Sequence, residues 1–84
     1  MKKPSKSLAL RKIFARNVRR TRRLQDISQE ELALRAGLSR SYVSEVERAE
    51  RNVSIDNIER LADALKTPVR SLVDPDLHKS LTSP

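Results

Sequence analysis

Gln29–Arg48, QEELALRAGLSRSYVSEVER, decides how the rest of this 84-residue chain is read. It divides into two short helical patterns at Gly37, the only glycine present. Glycine adopts a positive φ without steric cost, so a single one between two helices marks a turn that needs it. Ahead of the stretch, Ser28-Gln-Glu-Glu31 reads as a capping box. The Ser28 hydroxyl can accept from the Glu31 amide while the Glu31 carboxylate reaches back to the Ser28 amide. Glu30 and Glu31 also suit the positive end of the helix dipole. This helix buries Leu32, Ala33 and Ala36 and stops at Gly37, with Leu38 plugging the corner. Ser39 then caps a further helix over about 40–48, in which only Val43 and Val46 turn an apolar side to the core. Arg40, Ser41, Ser44, Glu45 and Arg48 are left outward, with Tyr42 at the edge. A core-building helix would carry more apolar residues; this one is built to show a polar face.

Working outward, residues 1–7, MKKPSKS, read as a flexible basic arm. From Leu8 to Leu24 the spacing predicts a first helix, with Leu10, Phe14, Val18 and Thr21 on one stripe and Ile13 beside them. Thr21 is an oddly polar member of that stripe. Gln25–Ile27 connects it to the second helix. Beyond Arg48, Ala49–Val53 is a charged loop and Ser54 caps a fourth helix with a stripe of Ile55, Ile58, Leu61, Ala62 and Leu65. Thr67-Pro68 reads as a cap and a first-position proline opening a short fifth helix through about Val73, with Val69, Leu72 and Val73 as its buried side. Asp74-Pro75 ends the domain, and residues 75–84 read as a flexible tail. The expected fold is therefore all-α: one five-helix domain over 8–74, with a central helix-turn-helix at about 28–48.

Composition narrows what such a domain can do. A chain of this length builds only a small core, and its large aromatics are Phe14 and Tyr42 alone, so self-association is expected. Without cysteine there is no disulfide frame and no Cys-based zinc site. The one histidine, His78, reads as a surface residue of the tail, so no metal and no cofactor is expected. There is no nucleophile system and no glycine-rich phosphate loop, which argues against an enzyme. No apolar run approaches the ~20 residues of a membrane span, and no signal peptide is evident; a soluble cytoplasmic protein is expected. The net charge is +7, unevenly placed. Ten of the 18 bases lie at or before Arg23, ahead of the first acid, whereas from Asp26 onward 11 acids outnumber eight bases. A basic amino-terminal part favours a polyanionic partner.

A helix that enters the DNA major groove must be pinned from behind with its outer face free. Leu32, Ala33, Gly37, Val43 and Val46 fit that geometry: the small Ala33 lets the helices cross closely, the glycine turns the chain and the valines dock. Taken with its flanks, SQEELALRAGLSRSYVSEVER resembles the phage-repressor and Cro-type helix-turn-helix family, a five-helix all-α DNA-binding domain. The likeness runs over about Leu10–Asp74 without a gap in the motif. SRSYVSEVERAERNVSIDNIERLADAL looks most like the controller proteins of restriction–modification systems and similar small repressors.

That resemblance implies roles. Arg40 would read bases, gripping guanine O6 and N7 in a bidentate pair. Ser41, Ser44 and Glu45 share its face; Ser41 would serve a base or a phosphate, and Glu45 would accept from cytosine N4 or repel phosphates. Gln29 would bond a phosphate and brace the recognition helix, and Tyr42 would use its hydroxyl on a phosphate or pack at the edge. Arg22 and Glu47 match a partly buried salt bridge that faces the DNA backbone, from which Arg22 can also touch phosphate. Arg48, Arg51 and Asn52 lie where the following loop approaches phosphates, contacts that position without reading sequence. The implied partners are double-stranded DNA, a second copy of the chain through Ile55, Val69, Leu72 or Val73, and RNA polymerase. The family often has glycine where this chain has Asp26, an apolar residue where it has Thr21, and Asn-Gly where it has Ala49-Glu50. The competing reading is an antitoxin or adaptor that uses the same fold to hold a protein.

Overall fold

Three serines open three of the helices. The hydroxyls of Ser28, Ser39 and Ser54 each accept from the backbone amide three residues on, at 3.0 to 3.1 Å, and satisfy a donor that the helix itself leaves unpaired. The computed structural model describes residues 5–78 and has five helices: α1 Ser5–Leu24, α2 Gln29–Ala36, α3 Arg40–Glu47, α4 Ile55–Ala64 and α5 Val69–Leu72. No strand occurs among the described residues, and none of these helices is long and apolar enough to cross a membrane. The expectations for residues 1–4 and 79–84 lie outside the described residues. α1 begins at Ser5 rather than Leu8, so the expected arm is already helical there. The capping box at Ser28 closes only on the serine side, because the Glu31 carboxylate accepts from Arg35 Nε at 2.8 Å. Thr67 does not cap α5 either: its hydroxyl donates to the Leu65 carbonyl at 2.9 Å, and Pro68 stands at the cap position.

Four helices end in one and the same way. After α1, α2, α3 and α4 a left-handed residue, Asp26, Gly37, Ala49 or Lys66, turns the chain at φ between 52 and 70°. At each, two amides fold back onto the last turn, as in Ala49 N to Val46 O at 3.0 Å and Glu50 N to Glu45 O at 2.9 Å. That paired closure satisfies the terminal carbonyls of a helix and favours glycine at the left-handed position. Only α2 has the glycine. A Cβ there would meet only the Arg60 Nη1 atom, at 3.4 Å, so the requirement at Gly37 comes from φ and not from space.

The core is what α2 and α3 are set upon. Phe14 and Val18 of α1 meet Leu32, Ala33 and Ala36 of α2, Val43 and Val46 of α3, Leu61 and Ala62 of α4 with Leu65 at its C-cap, and Leu72 of α5. Three stripe residues depart from expectation. Leu10 lies beyond the packed part of α1 and is 54% exposed. Ile55 and Val69, each at the first position of its helix, are 82% and 42% exposed, so Val69 is not part of the buried side of α5. Leu72 is fully buried; it belongs to the core and offers nothing to a second copy, which corrects its assignment to a dimer surface.

The polar residues buried along α1 explain how the chain end is held. Asn17 is wholly buried and its Nδ2 donates to the Leu72 and Asp74 carbonyls at 3.0 and 2.8 Å, which satisfies the end of α5. Arg16 Nη2 donates to the Pro75 carbonyl at 2.8 Å. Thr21, the odd polar stripe member, shares a 3.1 Å hydrogen bond with His78 Nε2. Residues 75–78 are therefore packed on α1, and His78 is buried rather than a surface residue of a tail.

Candidate nucleic-acid interface

α3 repeats its direction every 3.6 residues, so residues two apart point to nearly opposite sides. Val43, Val46 and Glu47 face inward and are buried, while Arg40 and Ser41 are exposed and Ser44 and Glu45 half-buried on the outer side. The inward side is held by an ion-pair junction. Arg22 of α1 grips Glu47 in a fork, with Nε to Oε2 at 2.7 Å and Nη2 to Oε1 at 3.0 Å. Its Nη1 donates to the Ile27 carbonyl at 2.8 Å. Gln29 at the start of α2 donates from Nε2 to Glu47 Oε1 at 3.0 Å. One buried carboxylate thus joins α1, α2 and α3. The expected Arg22–Glu47 bridge is present, and Gln29 braces the helix through that same carboxylate. The family likeness implies phosphate contacts for both Arg22 and Gln29; here their donors converge on Glu47.

On the outward side the charges are paired among themselves. Glu45 Oε1 accepts from Arg51 Nε at 2.7 Å, and the side chains are 35% and 50% exposed. The Arg51 guanidinium lies 4.9 Å from the centroid of the Tyr42 ring, a cation–π distance. The Tyr42 hydroxyl accepts from Asn57 Nδ2 at 3.0 Å, so the ring is anchored to α4. Arg48 donates to the Ser44 hydroxyl and, from Nη2, to Glu50 Oε1 at 3.0 Å. That hydrogen bond holds the Glu50 carboxyl below the usual carboxylate range and pushes Arg48 up. Asn52 is exposed and, with Arg11, Arg51, Leu10, Phe14, Val53, Ile58 and Val73, lines an open cavity of about 320 Å³ between α1 and the loop after α3.

Arg40, Ser41, Ser44 and Glu45 therefore share one exposed face, and Tyr42, Arg48, Arg51 and Asn52 flank it. Sequence reasoning missed the partners that these flanking residues take. Glu45 and Arg51 are six apart across a helix end, and they meet only because the closure at Ala49 folds the loop back along α3. Asn57 carries no periodic signal at all. The proposed dimer residues fall into three kinds: Ile55 and Val69 exposed, Val73 half-buried and Leu72 in the core.

A family model described as helix-turn-helix matches residues 18–72. The control protein C.SmaI of Serratia marcescens is 45% identical over 64 residues, which make up 76% of this chain and 76% of that protein. The control protein C.BamHI of Bacillus amyloliquefaciens is 42% identical over 66 residues, covering 77% of this chain and 82% of its own length. Among solved structures, the restriction-modification controller protein C.AhdI from Aeromonas hydrophila superposes with a TM-score of 0.74 at 46% identity, over 77% of this chain and 94% of that one.

Proposed function

The chain belongs to the helix-turn-helix family of DNA-binding transcriptional regulators, and from that premise we propose that it is a controller-type regulator binding a near-palindromic operator as a homodimer. The observation that carries this reading is the two-sidedness of α3. Its inner side is fixed by Val43, Val46 and the buried Glu47 junction, while its outer side carries only polar and charged residues. A rigid backing with a bare polar face is what a major-groove helix requires. In this reading Arg40 grips a guanine, Ser41, Ser44 and Glu45 complete base reading, and Tyr42, Arg48, Arg51 and Asn52 set the register on phosphates. Arg22 and Gln29 act mainly by holding α3 through Glu47, with phosphate contact secondary.

The second copy docks through the exposed Ile55 and Val69 with Val73 at their border, since Leu72 is spent in the core. Two recognition helices then face half-sites about 34 Å apart. RNA polymerase enters as a partner where the bound site adjoins a promoter. Selection of bound sites from random duplex DNA tests the whole reading. A recovered palindrome with half-sites one helical turn apart is expected, and the absence of any enriched site would defeat it.

A further inference from the structure

We propose that Glu45 governs sequence discrimination by holding Arg51 as an internal counterion and giving it up only where a DNA base takes the carboxylate. The proposal rests on the DNA-binding reading above and adds a mechanism to it. In the free protein Arg51 Nε is 2.7 Å from Glu45 Oε1, with both side chains partly open to solvent. An exposed pair of this kind is weak, so a stronger partner can open it. The Tyr42 ring beneath the guanidinium does not depend on that pairing, and Asn57 fixes the ring from α4. Arg51 can therefore change partner while remaining in place.

On a duplex the two members of the pair have opposite interests. Arg51 gains from a phosphate oxygen and from the counterions its arrival releases. Glu45 is then left as a bare carboxylate on the outer face of α3, among phosphates that repel it. Only an amino group on a base edge, cytosine N4 or adenine N6, relieves that repulsion by donating to it. At a cognate step both exchanges occur together: carboxylate to base, guanidinium to phosphate. At other steps the pair stays closed and Arg51 contributes little. A phosphate contact, which normally carries no sequence information, becomes sequence-dependent through the acid it must leave. Discrimination then arises as much from the penalty at wrong sites as from contacts at the right one.

The test compares the wild-type chain with Glu45→Gln, Arg51→Gln and the double variant. Each is titrated across a salt series against the selected operator and a scrambled duplex of equal length. With Glu45 present, Arg51→Gln is expected to weaken operator binding about tenfold and to leave scrambled binding within about twofold, because Arg51 is held closed there. In the Glu45→Gln background, Arg51→Gln weakens both duplexes alike. Glu45→Gln alone strengthens scrambled binding about threefold and steepens its salt dependence by about one unit of slope. Equal weakening of operator and scrambled duplex by Arg51→Gln in the Glu45 protein overturns the proposal and leaves the DNA reading standing. A wild-type chain that does not distinguish the two duplexes overturns both.

Discussion

Glu45 and Glu47 stand two residues apart on α3, each paired with an arginine, yet the two pairs live in different solvents. Glu47 is 2% exposed and accepts from Arg22 twice and from Gln29 once. Glu45 is 35% exposed and accepts from one nitrogen of Arg51. The geometry of the shortest contact is the same, 2.7 Å in both. Burial makes the difference. In water the attraction between the charges is largely screened and both partners keep hydration in reserve. Inside, neither partner can turn to water, and the further bonds to the Ile27 carbonyl and from Gln29 hold both in place, so the pair behaves as a fixed joint. One helix thus carries a joint on its inner face and an exchangeable contact on its outer face, and only the second is available to DNA.

The strongest way to break this comparison is to remove the buried acid. Glu47→Ala should destabilise the fold by about 3–5 kcal/mol, since it leaves the Arg22 charge buried and also deprives Gln29 of its acceptor. Against a domain stability of about 5–15 kcal/mol that is a large fraction. Urea denaturation measures it. Replacing both charges, Arg22→Met with Glu47→Leu, should recover much of the loss, because apolar groups of similar volume do not need the missing hydrogen bonds. A loss below about 1 kcal/mol for Glu47→Ala would place the inner pair with the exposed ones and erase the distinction.

The outer face is expected to respond in the opposite manner. Arg40→Ala should leave denaturation unchanged to within about 0.5 kcal/mol, as an exposed substitution whose side chain takes no part in the cap that Ser39 makes with the Tyr42 amide. Operator affinity should fall by about 1–3 kcal/mol, with the preference at one base position relaxed. Binding to a set of single-base operator variants reads this directly. Uniform weakening on every variant would move Arg40 from the bases to the phosphates.

These two faces were not equally legible in the amino-acid sequence. The inner one was: Val43 and Val46 three apart, a small Ala33 opposite, a glycine at the turn and serines at the caps each have a local physical meaning. The Arg22–Glu47 bridge came from family likeness and has the expected form. What escaped reading depends on chain segments that meet only after folding. Asn17 looks like one more polar residue on a basic helix until the end of α5 arrives with carbonyls to satisfy, 55 and 57 residues away. His78 looks like tail until it meets Thr21, again 57 residues distant. Leu72 fits a core stripe and a dimer stripe equally well, because periodicity tells which residues are apolar together and not what covers them. The Glu45–Arg51 contact hides for the same reason, across a turn whose course the residues Ala49-Glu50 do not announce.

That turn gives the smallest and sharpest comparison, because both faces of α3 end on it. Ala49 sits at φ 61°, in the left-handed region where a Cβ costs roughly 1–2 kcal/mol. Gly37 makes the same closure for α2 at φ 70° without that cost. Ala49→Gly should therefore stabilise the fold, by about 0.5–1 kcal/mol after the greater freedom of glycine in the unfolded chain is deducted. In a domain of this size that is a rise in Tm of about 3–6 °C, measurable by thermal denaturation. Asp26→Gly should gain less, since aspartate tolerates the left-handed region better than alanine does. Because the two amides folded back onto Val46 and Glu45 do not involve the Ala49 side chain, the loop should keep its course and Arg51 its place beside Glu45. Operator affinity should then stay unchanged while stability rises. A fall in affinity with the same gain in stability would mean that the methyl of Ala49 stiffens the loop for the outer face, and that the joint and the exchangeable contact are coupled through this turn.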